Sequence, residues 1–177
     1  MTSVRKRVVI TGMGVLSSIG RNVPEFKQGL LDKKVGIEAS EFYSEYFAGA
    51  CASEIKGDVD YPGLDPDLTT KLDKSALWGY RVGREALEDG GLLDSDLKQK
   101  MGLMVGVSAA GTEAFMPFIM KKPEDTNLDM VKYSGSYASL CPLVASLLKI
   151  GGGYELVATA CTASPNAIGL AFDAIQN

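Results

Sequence analysis

Apolar positions along the chain follow two rhythms, and these predict its elements. Val8, Val9 and Ile10 form a short β-branched run that ends at Thr11-Gly12-Met13-Gly14, the pattern of a buried strand running into a turn. Asn22 caps a helix with Pro24 in its first turn, which continues through Phe26 and Leu30 toward Lys33. Residues 38–70 are mixed: Ala48–Lys56 reads as an edge strand or an extended excursion, and Asp58–Pro66, with Pro62-Gly63, as loop. Leu72, Ala76, Tyr80, Gly83 and Leu87 recur at three- and four-residue steps. They predict a helix over Leu72–Glu88, stopped by Gly90-Gly91. Met101–Val107 is a second strand, apolar without alternation, leading into Ser108-Ala109-Ala110-Gly111-Thr112. Tyr137–Ile150 is helical with Pro142 inside, and Gly151-Gly152-Gly153 breaks it. A third strand over Leu156–Thr159 runs into a helix from Ala163, whose apolar positions are Ala167, Ile168, Leu170, Ala171, Ala174 and Ile175. Strands alternating with helices, with strands apolar on both sides, give an α/β fold.

Cys161 stands at the last strand-to-helix joint. A strand running straight into a helix turns sharply and presents a side chain beside the first helical N–H groups. Those groups lack partners within the helix and carry partial positive charge. A thiolate is stabilised there, and its nucleophilicity at neutral pH rises. Pro165 suits the first turn, where a missing N–H costs nothing. A small buried cysteine is the competing reading, and the strand–Cys–helix context brings the two level.

Composition narrows the chemistry. The chain has no histidine, which excludes within it a Cys–His dyad, a Ser–His–Asp triad and most zinc sites. Cys51, Cys141 and Cys161 are too widely spaced for a disulfide framework or a metal site and fit a reducing, cytoplasmic setting. A net charge of −4 argues against nucleic acid as a partner. No apolar run approaches the ~18 residues of a membrane span. Gly12-Met13-Gly14 after a strand suggests dinucleotide binding, but Ser17 stands where the fingerprint needs its third glycine. A tight turn with a glycine-permitted backbone is the better account. Nothing calls for a cofactor.

Three segments carry a family resemblance: Ala158-Thr159-Ala160-Cys161-Thr162-Ala163-Ser164 with the following Asn166-Ala167-Ile168-Gly169, the opening Arg7–Gly20, and Leu72–Leu92. In that content and order the chain resembles the N-terminal portion of β-ketoacyl-acyl-carrier-protein synthases, the condensing enzymes of the thiolase superfamily. The resemblance covers the whole chain but less than half of such an enzyme. It implies a five-layered αβαβα fold, of which residues 1–177 form the N-terminal part. The C-terminal half is then expected as another chain or an unlinked continuation, since the helix after Cys161 would otherwise expose a large apolar surface at ~25 cal/mol per Å². The resemblance departs at Ala138–Pro142 and the triple glycine, where the family has an Asn-Met-x-x-Gly segment and a Gly-Pro turn.

The resemblance also implies a function, decarboxylative Claisen condensation in fatty-acid or polyketide synthesis. Cys161 is the nucleophile that takes an acyl group from acyl-carrier protein, with its own N–H as one oxyanion donor. The second donor, two histidines and a lysine lie in the C-terminal half. Ser108, Ala109 and Thr162 are expected at the substrate, Ala109 as a small gate to the acyl pocket. Lys71 and Lys74 are expected to meet the acidic carrier protein, against the alternative of an ordinary solvated helix face that also carries Arg81 and Arg84. Phe115, Met116, Phe118, Ile119 and Met120 could line a pocket, pack a subunit interface or simply fill a core. A homodimer or heterodimer is implied. Other readings stay open: a chain-length-type partner subunit, against which the cysteine counts; a truncated, non-catalytic module that binds acyl-carrier protein; and a cysteine hydrolase or redox protein of another fold, with little support.

Overall fold

A computed structural model describes residues 6–44, 47–111 and 136–177. Thr112 and the run Phe115–Met120 lie outside the described residues.

The first helix, α1 (Val23–Leu31), begins where the sequence signals it. Asn22 accepts from the Glu25 N–H, and Glu25 reaches back to accept from the Arg21 N–H at 2.9 Å, a reciprocal cap. Two short strands, β1 (Ile37–Ala39) and β2 (Cys51–Ser53), pair antiparallel around the four-residue helix α2 (Glu41–Ser44). The extended segment expected at Ala48–Lys56 is thus a strand over three residues.

Residues 66–89 hold two helices, of which the sequence predicts only the second. Asp65 caps α3 (Pro66–Lys71), the chain extends at Leu72 and Asp73, and Asp73 caps α4 (Lys74–Asp89) by accepting from the Ser75 N–H at 2.8 Å. The predicted start at Leu72 is corrected to Lys74, because a capping carboxylate one residue later fixes the first turn. The predicted stop holds. Gly91 takes φ +66, its N–H donates to Glu88, and the Leu92 N–H donates to Leu87 at 2.7 Å.

After a short 3₁₀ turn (Asp96–Lys100) come β3 (Leu103–Gly106), α5 (Tyr137–Leu148) and β4 (Tyr154–Val157), with β3 and β4 parallel in the register Gly106↔Val157. A parallel pair needs a crossover, which α5 supplies. The last strand ends two residues earlier than the apolar run predicts. The final helix, α6 (Ala163–Gln176), follows a 3₁₀ turn at Ala160–Thr162.

The core forms between α4, α5 and one face of the β3–β4 pair. Tyr80, Leu87, Leu140, Val144 and Leu148 are buried, with Leu103, Val105, Val107 and Leu156 packed against them. Alternation along β3 turns Gly106 toward the other face, where α6 lies. The layers are therefore α4, α5, the strand pair and α6. Gly79 and Gly83 form a notch on α4 that admits Val144 and Leu148 of α5 at close range.

The predicted strand Val8–Ile10 is not formed. No ladder partner reaches it among the described residues, and Val9 and Ile10 are 60% and 82% exposed. A β-branched run specifies extended backbone but not the neighbour that would hydrogen-bond to it. Gly12 and Gly14 also serve another purpose than the expected turn, since neither has a positive φ. A Cβ on Gly12 would lie 2.2 Å from the Ala86 carbonyl oxygen, and one on Gly14 2.1 Å from that of Val82. These glycines let the segment lie directly on α4. Carboxylates of α4 hold it there: Asp89 accepts from the Met13 N–H, and Glu85 from the N–H groups of Val15 and Val23.

Candidate active site

The site is built where β4 ends. The chain leaves the ladder at Val157 and folds into the single 3₁₀ turn that contains Cys161, and α6 begins two residues later. Ala160 takes φ +51, a left-handed conformation that a Cβ disfavours, and this bend aims the chain into the helix. Cys161 is exposed and free. The sharp strand-to-helix turn expected at this residue is present, with Pro165 in the first turn of α6.

Two sets of hydrogen bonds hold the turn. From the helix side, Thr159 Oγ1 accepts from Asn166 Nδ2 at 2.9 Å, and Thr162 Oγ1 donates to the Thr159 carbonyl at 2.9 Å. From the sheet side, Ser108 Oγ donates to the Ala160 carbonyl at 3.0 Å, an oxygen that also accepts from the Ala163 N–H. Tyr137 OH donates to the Ser108 carbonyl at 2.8 Å.

Packing fixes where α6 starts. Ala163 and Ala167 are 1% and 5% exposed, and β3 meets the first turn backbone to backbone. A Cβ on Gly106 would lie 2.4 Å from the Ala163 carbonyl oxygen and 2.6 Å from the Ser164 nitrogen. Only glycine permits that approach. Ile168, Phe172 and Ile175, on the rest of α6, stand 43% to 70% exposed.

The other two cysteines differ from Cys161 in kind. Cys51 is exposed on β2, far in sequence from the turn. Cys141 is buried at 2% exposure in α5 and donates to the Glu155 carbonyl at 3.3 Å. Its burial pushes the thiol up from the ordinary range.

Of the candidate residues, Ser108 and Thr162 are joined to the cysteine turn by hydrogen bonds. Ser108 touches the residue before Cys161, and Thr162, the residue after it, braces the same turn. Ala109 is exposed beside Ser108. Two residues on, the Gly111 N–H donates to Ser75 Oγ at 3.2 Å, which ties this loop to the first turn of α4. Lys71 and Lys74 flank that start and line a 610 Å³ depression with Tyr61, Thr70 and Trp78. Arg81 leaves the set. Its side chain is 16% exposed, paired with the largely buried Glu85 and with the exposed Asp60, and so offers little landing surface. Sequence reasoning passed over Thr159, Asn166 and Tyr137 as contributors to the turn. Gly106 carried a legible signal, since a glycine inside an apolar strand marks close approach of backbone.

This arrangement of strand, turn and helix has known relatives. Residues 5–177 match the family model "Beta-ketoacyl synthase, N-terminal domain". The chain belongs to the β-ketoacyl synthase family. It is 30% identical over 168 residues to 3-oxoacyl-[acyl-carrier-protein] synthase II, chloroplastic, of Arabidopsis thaliana, covering 90% of this chain and 31% of that one. It is 31% identical over 180 residues to 3-oxoacyl-[acyl-carrier-protein] synthase 1 of Haemophilus influenzae, covering 97% and 43%. Among solved structures it is similar to the ishigamide ketosynthase/chain length factor, with a TM-score of 0.79, 24% identity, and coverage of 98% of this chain and 45% of that one. A β-ketoacyl synthase from Burkholderia phymatum gives a TM-score of 0.72 at 21% identity, covering 96% and 43%. The chain thus spans less than half the length of these relatives. Its α/β architecture is that of the N-terminal portion of the thiolase-like ketosynthase fold.

Proposed function

We propose that this β-ketoacyl synthase chain carries the nucleophile of an acyltransferase that condenses an acyl thioester with malonyl-acyl-carrier protein. The observation that carries the reading is Cys161, exposed and free in a left-handed turn immediately before α6. The thiolate attacks the thioester carbonyl, a new carbon–sulfur bond forms, and as the oxyanion collapses the old carbon–sulfur bond breaks and the carrier leaves as its thiolate. The Cys161 N–H serves as one donor to that oxyanion. The acyl-cysteine then awaits the carbanion released when a malonyl thioester loses CO₂.

The 177 residues contain no histidine, so this reading assigns the decarboxylative step to a C-terminal half that supplies the imidazoles. The chain is then the N-terminal part of the synthase domain, acting within a homodimer or heterodimer. Its three free cysteines suit a reducing, cytoplasmic setting. No helix among the described residues is long and apolar enough to cross a membrane.

The carrier protein docks at the start of α4, where Lys71 and Lys74 meet its acidic face. The loop from Ser75 through Gly111 to Ser108 supports this placement, because it joins that surface to the cysteine turn. Ala109, small and exposed beside Ser108, leaves the entrance open to bulkier acyl groups.

Incubation with an acyl-acyl-carrier protein, followed by peptide-resolved mass spectrometry, tests the first half-reaction. One acyl group on Cys161, absent from Cys161→Ala, supports the reading. Carrier binding without acylation would overturn it in favour of a non-catalytic module. Charge reversal at Lys71 and Lys74 is expected to slow acylation at low salt, with the difference shrinking as salt rises.

A further inference from the structure

A relay of two hydroxyl groups, distant in sequence, leads to the residue before Cys161. Ser108 Oγ donates to the Ala160 carbonyl across 52 positions, and Tyr137 OH donates to the Ser108 carbonyl across 29. Neither bond belongs to a regular element, and both end on backbone. Their common effect falls on Ala160, held at φ +51 although it carries a Cβ. Conformations of this kind persist where surrounding bonds over-determine them. Here the Ala160 carbonyl is fixed twice, by Ser108 Oγ and by the Ala163 N–H.

Ser108 is itself placed from two directions. The bond from the Val107 N–H to the Val157 carbonyl at 2.9 Å anchors it to the end of the strand pair, and the Tyr137 phenol holds its carbonyl. Tyr137 stands at the first residue of α5, whose buried face is locked into the core by Leu140 and Val144. A rigid helix thus orients a loop serine, and that serine holds the turn from which the thiol projects.

We propose that Ser108 and Tyr137 are positioning residues that keep the Ala160–Cys161 turn in its left-handed form and so set the reactivity of the Cys161 thiol. This rests on the reading of Cys161 as nucleophile and adds the device that prepares it. The Thr159, Thr162 and Asn166 bonds brace the other side of the turn, so loss of the serine bond loosens the turn without unfolding it.

The chain's three cysteines provide the test. The full chain and its Ser108→Ala, Ser108→Thr and Tyr137→Phe variants are treated with iodoacetamide, and labelling of each cysteine is followed by peptide-resolved mass spectrometry. In the unsubstituted chain Cys161 is expected to react faster than Cys51, which is also exposed. Ser108→Ala and Tyr137→Phe are expected to slow Cys161 by about threefold to tenfold, the scale of one lost hydrogen bond. Labelling of Cys51 and of buried Cys141 should not change, and Ser108→Thr should restore the Cys161 rate. Unchanged Cys161 rates in both Ser108→Ala and Tyr137→Phe, with Cys161 still outpacing Cys51, would overturn the positioning role and leave the nucleophile standing. Faster labelling of Cys141 in those variants would overturn it too, because the residues would then be maintaining the fold at large. Equal rates for Cys161 and Cys51 in the unsubstituted chain would remove the nucleophile and this inference with it.

Discussion

Adding one methyl group at Gly106 should displace the helix that follows the candidate nucleophile. The new Cβ would stand 2.4 Å from the Ala163 carbonyl oxygen, about 1 Å short of ordinary contact. The nearest atoms are all backbone, the Ala163 carbonyl group and the Ser164 nitrogen, so no side-chain rotation relieves the clash. Either α6 retreats from β3 by about that distance or the Gly106↔Val157 register opens. Overpacking of this kind costs about 1–3 kcal/mol. In a chain of this size each kcal/mol lowers the melting midpoint by about 2–4 °C. Cys161 lies two residues before Ala163 and moves with it, and a displacement near 1 Å can cost on the order of 10²-fold in a positioned reaction. Gly106→Ala is therefore expected to lower the melting midpoint, speed exchange of the Val107 amide and slow acylation of Cys161. A variant that melts and acylates like the unsubstituted chain would refute the reasoning, because the approach of β3 to α6 would then be slack.

Three further perturbations act elsewhere in the chain. Gly169→Ala, in the middle of α6 with nothing near the added methyl group, is expected to stabilise the chain by about 0.5–1 kcal/mol, read as a higher denaturation midpoint. Glu85→Ala removes the acceptor for the Val15 and Val23 N–H groups and the partner of Arg81. A loss of about 2–3 kcal/mol is expected in chemical denaturation, with faster amide exchange at Val15 and Val23. Glu25 has its carboxyl held below the usual range by the Arg21 N–H and then by the Asn22 side chain. A lowered folded value means that its contribution is present above the unfolded value of about 4.3 and is lost as pH falls through the folded one. Asn22→Ala should move the Glu25 titration upward in carboxyl NMR and, by removing the cap, cost about 1 kcal/mol.

What the sequence made legible was chiefly local. Asn22 with Pro24, Gly90-Gly91 and the strand–Cys161–helix joint each encode their geometry in neighbouring residues, and the structure places all three as their chemistry requires. Leu72 misled because its side chain continues the apolar period of α4, while the boundary is set by the Asp73 carboxylate acting on the Ser75 N–H. Val8–Ile10 misled because β-branching reports a conformational preference and says nothing of a pairing partner. The bracing of the cysteine turn was invisible for a different reason. Ser108 reaches Ala160, and Tyr137 reaches Ser108, only through backbone carbonyls, which every residue has, so no residue type announces these contacts.

The attachment of residues 13–23 to α4 bears on which substitutions this chain can accept. Glu85 and Asp89 grip the N–H groups of Met13, Val15 and Val23, not their side chains. Those three positions are therefore free to exchange one side chain for another without loosening the grip. Proline alone, having no N–H to offer, breaks it. Side-chain exchange is tolerated at those three positions but not at Gly14 between them, and the grip itself rests on two carboxylates in a distant part of the chain.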